Sequence, residues 1–66
     1  MRISLNGETH ELAAALTIEA LLRSFDLDPK KVAVERNLEI VRRSDYARLM
    51  ITDGDRLEIV HFIGGG

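Results

Sequence analysis

The first twelve residues alternate between apolar and polar side chains, as a half-buried β-strand does. Ile3 and Leu5 fall on one side of such a strand, and polar residues fall on the other. Asn6 and Gly7 follow at once, and both residue types tolerate the positive φ of a two-residue hairpin turn. Residues 1–12 therefore predict a β-hairpin.

The next segment predicts an amphipathic helix that begins after Thr17. The Thr17 hydroxyl can accept a hydrogen bond from an otherwise unpaired amide of the first turn. Asp28 precedes the only proline and is biased away from helical geometry, so the helix should end by about Leu27. The apolar residues that recur at helical spacing are Ile18, Leu21, Leu22 and Phe25.

The second half of the chain predicts three further strands. Residues 32–35 are rich in β-branched side chains, and residues 37–41 lead through a turn into a short strand. Ser44 is a candidate cap for a single helical turn. Asp53-Gly54-Asp55 is typical of a turn, after which residues 56–63 alternate as a last strand. The predicted order is β-β-α-β-β-β.

This pattern predicts one apolar core between the helix and one face of the sheet. Since side chains alternate along a strand, Leu57 and Ile59 would face the helix, and Val60 and Phe62 would face away, where no second helix covers them. We expect Val60 and Phe62 to form an apolar partner-binding site; the alternative is that Phe62 folds over the sheet edge and seals the core. The expected core residues are Ile3, Leu5, Ile18, Leu21, Leu22, Phe25, Val34, Leu57 and Ile59.

Composition limits the class of protein. The chain has 66 residues, of which 45% are hydrophobic and 30% charged, as expected of a single globular domain over residues 1–66. It contains no Cys, which excludes disulfides, Cys-type zinc sites and sulfur held on its own thiol. A pocket of about 300 Å³ would hollow out so small a core, which argues against an independent enzyme.

Charge and hydropathy narrow the choice of partners and location. The net charge is −2 and the basic residues are spread along the chain, so we expect no nucleic-acid binding. No segment approaches the roughly 20 apolar residues of a membrane span, and the start lacks a signal-peptide pattern, so a cytoplasmic protein is expected. His10 and His61 are too far apart in sequence to suggest a metal site.

Three glycines form the end of the sequence, Gly64, Gly65 and Gly66. They add no side chain to a core, and ordering glycine costs more backbone entropy than ordering other residues, so we expect a mobile tail over residues 64–66. Without Cβ atoms this tail can pass through a narrow channel and present the Gly66 carboxylate. On composition alone, a flexible terminus without function fits equally well.

One set of features extends over essentially the whole chain. It consists of the Asn6-Gly7 turn, the Thr17 cap, residues 32–37 (VAVERN), Ile40-Val41, residues 53–56 (DGDR) and residues 59–66 (IVHFIGGG). In these features the sequence resembles the ThiS family. Leu38 stands where that family commonly has Gly, and Arg42 stands where Pro is common. ThiS proteins are ubiquitin-like sulfur carriers of bacterial thiamin biosynthesis, so the resemblance implies an α+β β-grasp fold with a mixed four- to five-stranded sheet packed on one main helix.

The resemblance also implies a chemistry for the tail. In the family the terminal carboxylate, here that of Gly66, is adenylated with ATP by an E1-like, ThiF-type enzyme and converted to a thiocarboxylate. The carrier itself is then not an enzyme and binds no cofactor. Because this chain lacks Cys, the sulfur would come from a donor such as a cysteine desulfurase or a persulfide protein. The thiocarboxylate would give its sulfur to a ThiG-type thiazole synthase.

Two alternatives stay open on the sequence. The small subunit of molybdopterin synthase is another Gly-Gly thiocarboxylate carrier, although that family tends to be longer than 66 residues. A noncatalytic ubiquitin-like interaction module, or a modifier joined to lysines through Gly66, belongs to a different functional class.

Overall fold

A computed structural model of the chain describes residues 1–61. Within this range, two short 3-10 turns accompany five strands and one α-helix, and the predicted order β-β-α-β-β-β is confirmed. The 3-10 turns are Pro29–Lys31 and Arg43–Asp45. The strands and helix are β1 (Arg2–Leu5), β2 (Glu8–Glu11), α1 (Ile18–Ser24), β3 (Val32–Arg36), β4 (Glu39–Ile40) and β5 (Arg56–His61).

The strands form one mixed sheet in the order β2-β1-β5-β3-β4. β5 is parallel to β1, and the other neighbouring pairs are antiparallel. The last strand in sequence therefore lies at the centre of the sheet, with a partner on each side. This arrangement confirms the predicted mixed sheet. The last described residue, His61, lies in this central strand.

Both hairpin turns use left-handed backbone conformations. Asn6 and Gly7 have φ values of 49° and 84° and join β1 to β2, as their residue types predict. Asn37 and Leu38 have φ values of 52° and 72° and join β3 to β4. Leu38 thus occupies a conformation that favours glycine, at the position where the ThiS family commonly has one.

The helix begins as predicted and ends slightly earlier. The Thr17 hydroxyl accepts a hydrogen bond from the Ala20 amide at 3.1 Å. At the other end, the Asp26 amide donates to the Arg23 carbonyl, and the Leu27 amide donates to the Leu22 carbonyl. With Asp26 at a φ of 59°, this is a Schellman cap, which closes the helix after Ser24.

The early end of the helix explains why one predicted core residue is wrong. Phe25 has left the regular helical path, with ψ at 15°, and 38% of its surface is exposed. Its ring packs edge to face against the His10 ring, with the two ring centroids 5.3 Å apart, and lies beside the core and not inside it. Leu27, brought back by the Schellman cap, packs against the core instead.

The rest of the predicted core is found between α1 and the sheet. Leu5 and Ile59 are half-buried and pack against it. Four members were not predicted, Val32, Val41, Tyr46 and Ile51. The Tyr46 hydroxyl donates a hydrogen bond to the Val32 carbonyl at 3.2 Å, which satisfies its buried polar atom. The fully or nearly buried apolar residues are Ile3, Ile18, Leu21, Leu22, Val32, Val34, Val41, Tyr46, Ile51 and Leu57.

The predicted cap at Ser44 is wrong. Ser44 lies inside the 3-10 turn Arg43–Asp45, and Arg42 holds the cap position in an extended conformation. The Asp45 amide donates to the Arg42 carbonyl at 2.8 Å, so the turn is closed by the backbone. No side chain caps this turn. Its cap position is Arg42, two residues before Ser44.

Truncating Leu22 tests the core. Leu22 is fully buried, so Leu22→Ala should lower the free energy of unfolding by about 2–5 kcal/mol through lost burial and a cavity. Thermal or urea unfolding measures the change. Leu38→Ala removes the same atoms from a side chain that is 77% exposed and should change stability little. Equal losses in the two variants would contradict the packing described here.

Replacing Leu38 with glycine tests the strained turn. A left-handed conformation costs a non-glycine residue about 1–2 kcal/mol, and the added freedom of glycine in the unfolded chain returns part of that. We expect Leu38→Gly to raise the free energy of unfolding by up to about 1 kcal/mol in urea titrations. Leu38→Ala keeps the Cβ atom and should bring no such gain. A less stable glycine variant would show that the turn is not strained.

Candidate functional site

The sequence places the candidate site at the end of β5 and in the tail that follows it. Phe62 and the three glycines of the tail lie outside the residues that the structure describes, so their roles stay predictions. Val60 lies within the described range, in the central strand. The neighbourhood of Val60 and the contacts that fix β5 are therefore the parts of the site that can be built from the residues upward.

Side chains alternate between the two sides of β5, and the side away from α1 is exposed, as predicted. Leu57 is buried towards α1 and Ile59 is half-buried on the same side. Glu58 and Val60 alternate with them and are exposed, Val60 to 62%. An aliphatic side chain thus stands in solvent next to the last described residue, His61. The predicted docking role requires such an exposed apolar side chain.

Cross-strand register decides which residues surround Val60. On β3, Ala33 is directly opposite Val60, and Glu35 is directly opposite Glu58. Glu35 also pairs with Ile40 of β4, whose side chain is 79% exposed. These five residues form one surface on the side of the sheet away from α1, which we call the outer face. The sequence analysis missed Glu35 and Ile40, because their position depends on the register that the Asn37-Leu38 turn sets.

The Asn6 side chain holds the second half of β5. Its Oδ1 accepts a hydrogen bond from the Ile59 amide at 2.8 Å, and its Nδ2 donates to the Ile59 carbonyl at 3.3 Å. β1 has ended at Leu5, so this carboxamide takes the place of one more residue of the parallel ladder. The backbone is thereby fixed two residues before His61. From the sequence, Asn6 was assigned only to a turn.

A buried carboxylate holds the start of β5. Asp55 accepts hydrogen bonds from the Thr52 amide and hydroxyl at 2.8 and 3.0 Å, from Asn37 Nδ2 at 3.2 Å and from Arg36 Nε at 2.8 Å. Asn37 Oδ1 in turn accepts from the Arg56 amide at 2.9 Å. Residues 53–55 form the predicted turn, but the network around Asp55 was not predicted.

The environment of Asp55 also determines its charge. Burial disfavours the carboxylate and acts to raise its pKa, but the hydrogen bonds from Thr52, Asn37 and Arg36 outweigh burial. The net result is a pKa below the ordinary value of 3.8. Asp55 is therefore an anion at neutral pH, and it joins the turn before β5 to the end of β3, which is 18 and 19 residues away in sequence.

Substitution of Asp55 with asparagine tests this network through its pH dependence. An amide nitrogen would face hydrogen-bond donors, so Asp55→Asn should cost about 1.5–3 kcal/mol at pH 7. Because folding lowers the pKa of Asp55 below its ordinary value of 3.8, its ionised form contributes stability that is present above that value and is lost as pH falls through the folded pKa. The gap between the two proteins in urea unfolding should thus shrink from pH 7 to pH 3.

Glu8→Gln supplies the control for this measurement, because it removes one carboxylate charge from an exposed residue of β2, a strand that contributes no residue to the network. It should unfold like the wild-type protein at pH 7. A gap between wild-type and Asp55→Asn that is as large at pH 3 as at pH 7 would contradict a stabilising role for the ionised carboxylate.

The described part of the chain shows neither a metal cluster nor a membrane-spanning helix. In residues 1–61, no group of three or more His, Asp or Glu residues is arranged to hold a metal ion. The helix α1 has seven residues, and no helix in the same range is long and apolar enough to cross a membrane. His10 lies against Phe25, as described above.

Comparison with known proteins decides the family. The model of the ThiS family matches residues 3–66, nearly the whole chain. The chain belongs to the ThiS family. The sulfur carrier protein ThiS of Bacillus subtilis is 50% identical over 50 residues, which cover 76% of each chain. The sulfur carrier protein ThiS of Escherichia coli is 32% identical over 66 residues and covers both chains fully.

A solved ThiS structure has the same fold. The crystal structure of the thiamine biosynthesis protein ThiS from Geobacter metallireducens superposes with a TM-score of 0.85, at 29% identity and with full coverage of both chains. This match, together with the mixed five-stranded sheet and single helix of residues 1–61, confirms the predicted β-grasp fold.

Longer proteins also contain a ThiS-like segment. A thiazole synthase of Paramagnetospirillum magneticum is 56% identical to this chain over 66 residues, and one of Magnetococcus marinus is 48% identical over 66 residues. The chain spans 20% of the length of each of these curated relatives. In them, a segment similar to this member of the ThiS family belongs to a polypeptide named for thiazole synthesis.

Proposed function

We propose that this protein is a sulfur carrier of thiamin biosynthesis and that the carboxylate of Gly66 is its reacting group. The observation that carries the proposal is the ThiS family match, which extends through the three glycines to residue 66. Two of the relatives are named as sulfur carrier proteins. This match favours the thiamin pathway over the role of a molybdopterin synthase small subunit.

The chemistry of a carboxylate explains the need for activation. An α-carboxyl group has a pKa of about 3.5, so at neutral pH it is an anion and a poor electrophile. Transfer of the adenylyl group of ATP to the Gly66 carboxylate, with release of pyrophosphate, creates a leaving group. Sulfide can then attack the acyl carbon and displace AMP, leaving a thiocarboxylate. If the nucleophile is a partner's persulfide, displacement of AMP gives an acyl disulfide first, and a thiol must cleave it to release the thiocarboxylate while forming a disulfide with the partner's cysteine. The nucleophile comes from a partner, because the chain has no Cys.

The carrier thus acts as a co-substrate and not as a catalyst. ATP is bound by the activating partner, an E1-like, ThiF-type enzyme, and sulfur is supplied by a cysteine desulfurase or a persulfide protein. The thiocarboxylate is consumed by a ThiG-type thiazole synthase. Support for this last partner comes from the relatives in which a ThiS-like segment and the name thiazole synthase share one chain. A cytoplasmic location suits this ATP-dependent chemistry.

The structure supports the carrier role through the way in which β5 is held. The Asp55 network fixes the start of β5, and the Asn6 carboxamide fixes Ile59. A strand that is anchored at both points already has an ordered backbone up to Ile59, so a partner that binds there loses less entropy in ordering it. Val60 lies beside that point and is exposed, and we propose Val60 and Phe62 as docking residues.

Intact-protein mass spectrometry tests the proposal. A protein of residues 1–66 is incubated with ATP, sulfide and the adenylating enzyme of the same organism. We expect the mass to rise by the difference between sulfur and oxygen. Gly65→Leu should keep the wild-type melting temperature but convert about tenfold more slowly or worse, because bulk near the reacting carboxylate misplaces it in the partner's site.

Ala14→Leu is the control, since it introduces the same leucine side chain in an exposed loop, and it should convert normally. Conversion of Gly65→Leu at the wild-type rate would contradict the prediction that the tail passes through a narrow channel of the partner. Unchanged mass of the wild-type protein would refute the carrier role, and its attachment to lysines of other proteins would identify a modifier instead.

A further inference from the structure

The Asn6 side chain takes the place of a peptide group beside the central strand. The Asn6 amide donates a hydrogen bond to the Leu57 carbonyl at 2.9 Å, and the backbone then turns away into the hairpin with Asn6 at a φ of 49°. Its carboxamide continues the ladder, because Oδ1 accepts from the Ile59 amide and Nδ2 donates to the Ile59 carbonyl. One acceptor and one donor are what the backbone of a parallel neighbour would offer here.

The carboxamide lies where β5 extends beyond β1. The pairing of β1 with β5 covers Arg56 and Leu57, whereas the pairing of β3 with β5 continues to His61. On the β1 side, the second half of β5 is therefore a sheet edge, and strand ends with an unpaired edge open locally at a low free energy. Asn6 supplies hydrogen bonds that close this edge at Ile59.

The order of β5 at Ile59 affects a reaction at Gly66 through the cost of binding. A partner that acts on the Gly66 carboxylate has to hold the chain that leads to it in one geometry. Backbone that is already extended loses little entropy in this step, whereas backbone that has opened must be ordered by the partner. The same cost applies to the bound substrate and to the transition state, so it appears in KM and not in kcat.

We infer that Asn6 is a positioning residue for the reaction proposed at Gly66. By closing the edge of β5 at Ile59, its carboxamide keeps the strand that leads into the tail ordered before a partner binds. Asn6 acts through Ile59 and takes no part in making or breaking a bond. The inference rests on the proposed carrier function, and it adds a residue of the β1–β2 turn on which the efficiency of that function depends.

Asn37 offers a matched comparison at the other end of β5. It also has a left-handed backbone, with φ at 52°, and its Oδ1 accepts from the Arg56 amide at 2.9 Å. Because Asn37 also donates to Asp55, its loss should destabilise the fold at least as much as the loss of Asn6. The start of β5, however, is paired with both β1 and β3, so loss of Asn37 should leave the end of β5 ordered.

Steady-state kinetics of sulfur loading separate positioning from stability. The chain of residues 1–66 is incubated with the adenylating enzyme of the same organism, ATP and sulfide, at a temperature where every variant is folded. The initial rate of the mass increase is measured against carrier concentration. Asn6→Gly keeps the left-handed turn and removes the carboxamide, so KM should rise about tenfold with kcat nearly unchanged. Asn37→Gly should stay within about twofold of the wild-type protein in both constants.

Amide hydrogen exchange, followed by NMR, reports the opening of β5 directly. The Ile59 amide loses its acceptor in Asn6→Gly and should exchange about tenfold faster than in the wild-type protein. The Val41 amide, which donates to the Val34 carbonyl at 2.9 Å, is the internal reference. Its exchange should change only as far as global stability changes.

Asn6→Asp is a second variant, because aspartate also tolerates the left-handed turn. A carboxylate oxygen would face the Ile59 carbonyl where Nδ2 now donates at 3.3 Å. The resulting repulsion should open the edge of β5, so KM should rise in this variant too, again with kcat nearly unchanged.

Three results would overturn the positioning role. They are a wild-type KM in Asn6→Gly or Asn6→Asp, unchanged exchange of the Ile59 amide in Asn6→Gly, and an equal rise of KM in Asn6→Gly and Asn37→Gly, which would then follow stability alone. In each case the wild-type protein still gains sulfur and the carrier function stands. A wild-type protein that gains no sulfur refutes the carrier function itself, and the positioning role at Gly66 fails with it.

Discussion

The placement of the last strand between β1 and β3 is the constraint on which the rest of the structure depends. β5 pairs in parallel with β1 and antiparallel with β3, so it joins the two halves of the chain into one sheet. Leu57, the second residue of β5, is fully buried in the core that includes α1. Without β5, the β1–β2 hairpin and the β3–β4 hairpin would have no common partner, and the helix would have no continuous surface to cover.

Polar side chains secure this long-range pairing where backbone ladders cannot. Asp55 collects donors from residues 36, 37 and 52 at the start of β5, and Asn6 supplies both partners for Ile59 beyond the end of β1. Hydrogen bonds to a buried carboxylate are stronger than neutral ones, and leaving such a group unpaired is costly. A domain of 66 residues has a small core, so these contacts contribute a substantial fraction of its specificity for one register.

Local unfavourable features gather on the β3–β4 hairpin and the strand beside it. Leu38 has a left-handed backbone, Ile40 exposes an aliphatic side chain, and Glu35 opposes Glu58. None of these is required by the core, which lies on the other side of the sheet. Such departures from local consistency are expected where a surface serves a partner, since binding can compensate for what the free protein leaves unfavourable.

The sequence by itself determined the elements, because their signals act over a few residues. Asn6-Gly7 fixed a hairpin, Thr17 fixed the start of the helix, and alternation identified the exposed side of β5. The three terminal glycines, on which the proposed tail chemistry is based, are likewise a feature of sequence alone. Family resemblance added the β-grasp topology.

Only the tertiary structure decided which distant residues meet. The Schellman cap at Asp26 turned Phe25 out of the core, and the segment that contributes Tyr46 and Ile51 has no period that predicts burial. The opposition of Glu35 and Glu58 and the burial of Asp55 depend on strand register across 20 or so residues of intervening chain. Turn geometry and packing on α1 together set the register. The sequence of β3 or of β5 alone therefore does not specify which of their residues are opposite each other.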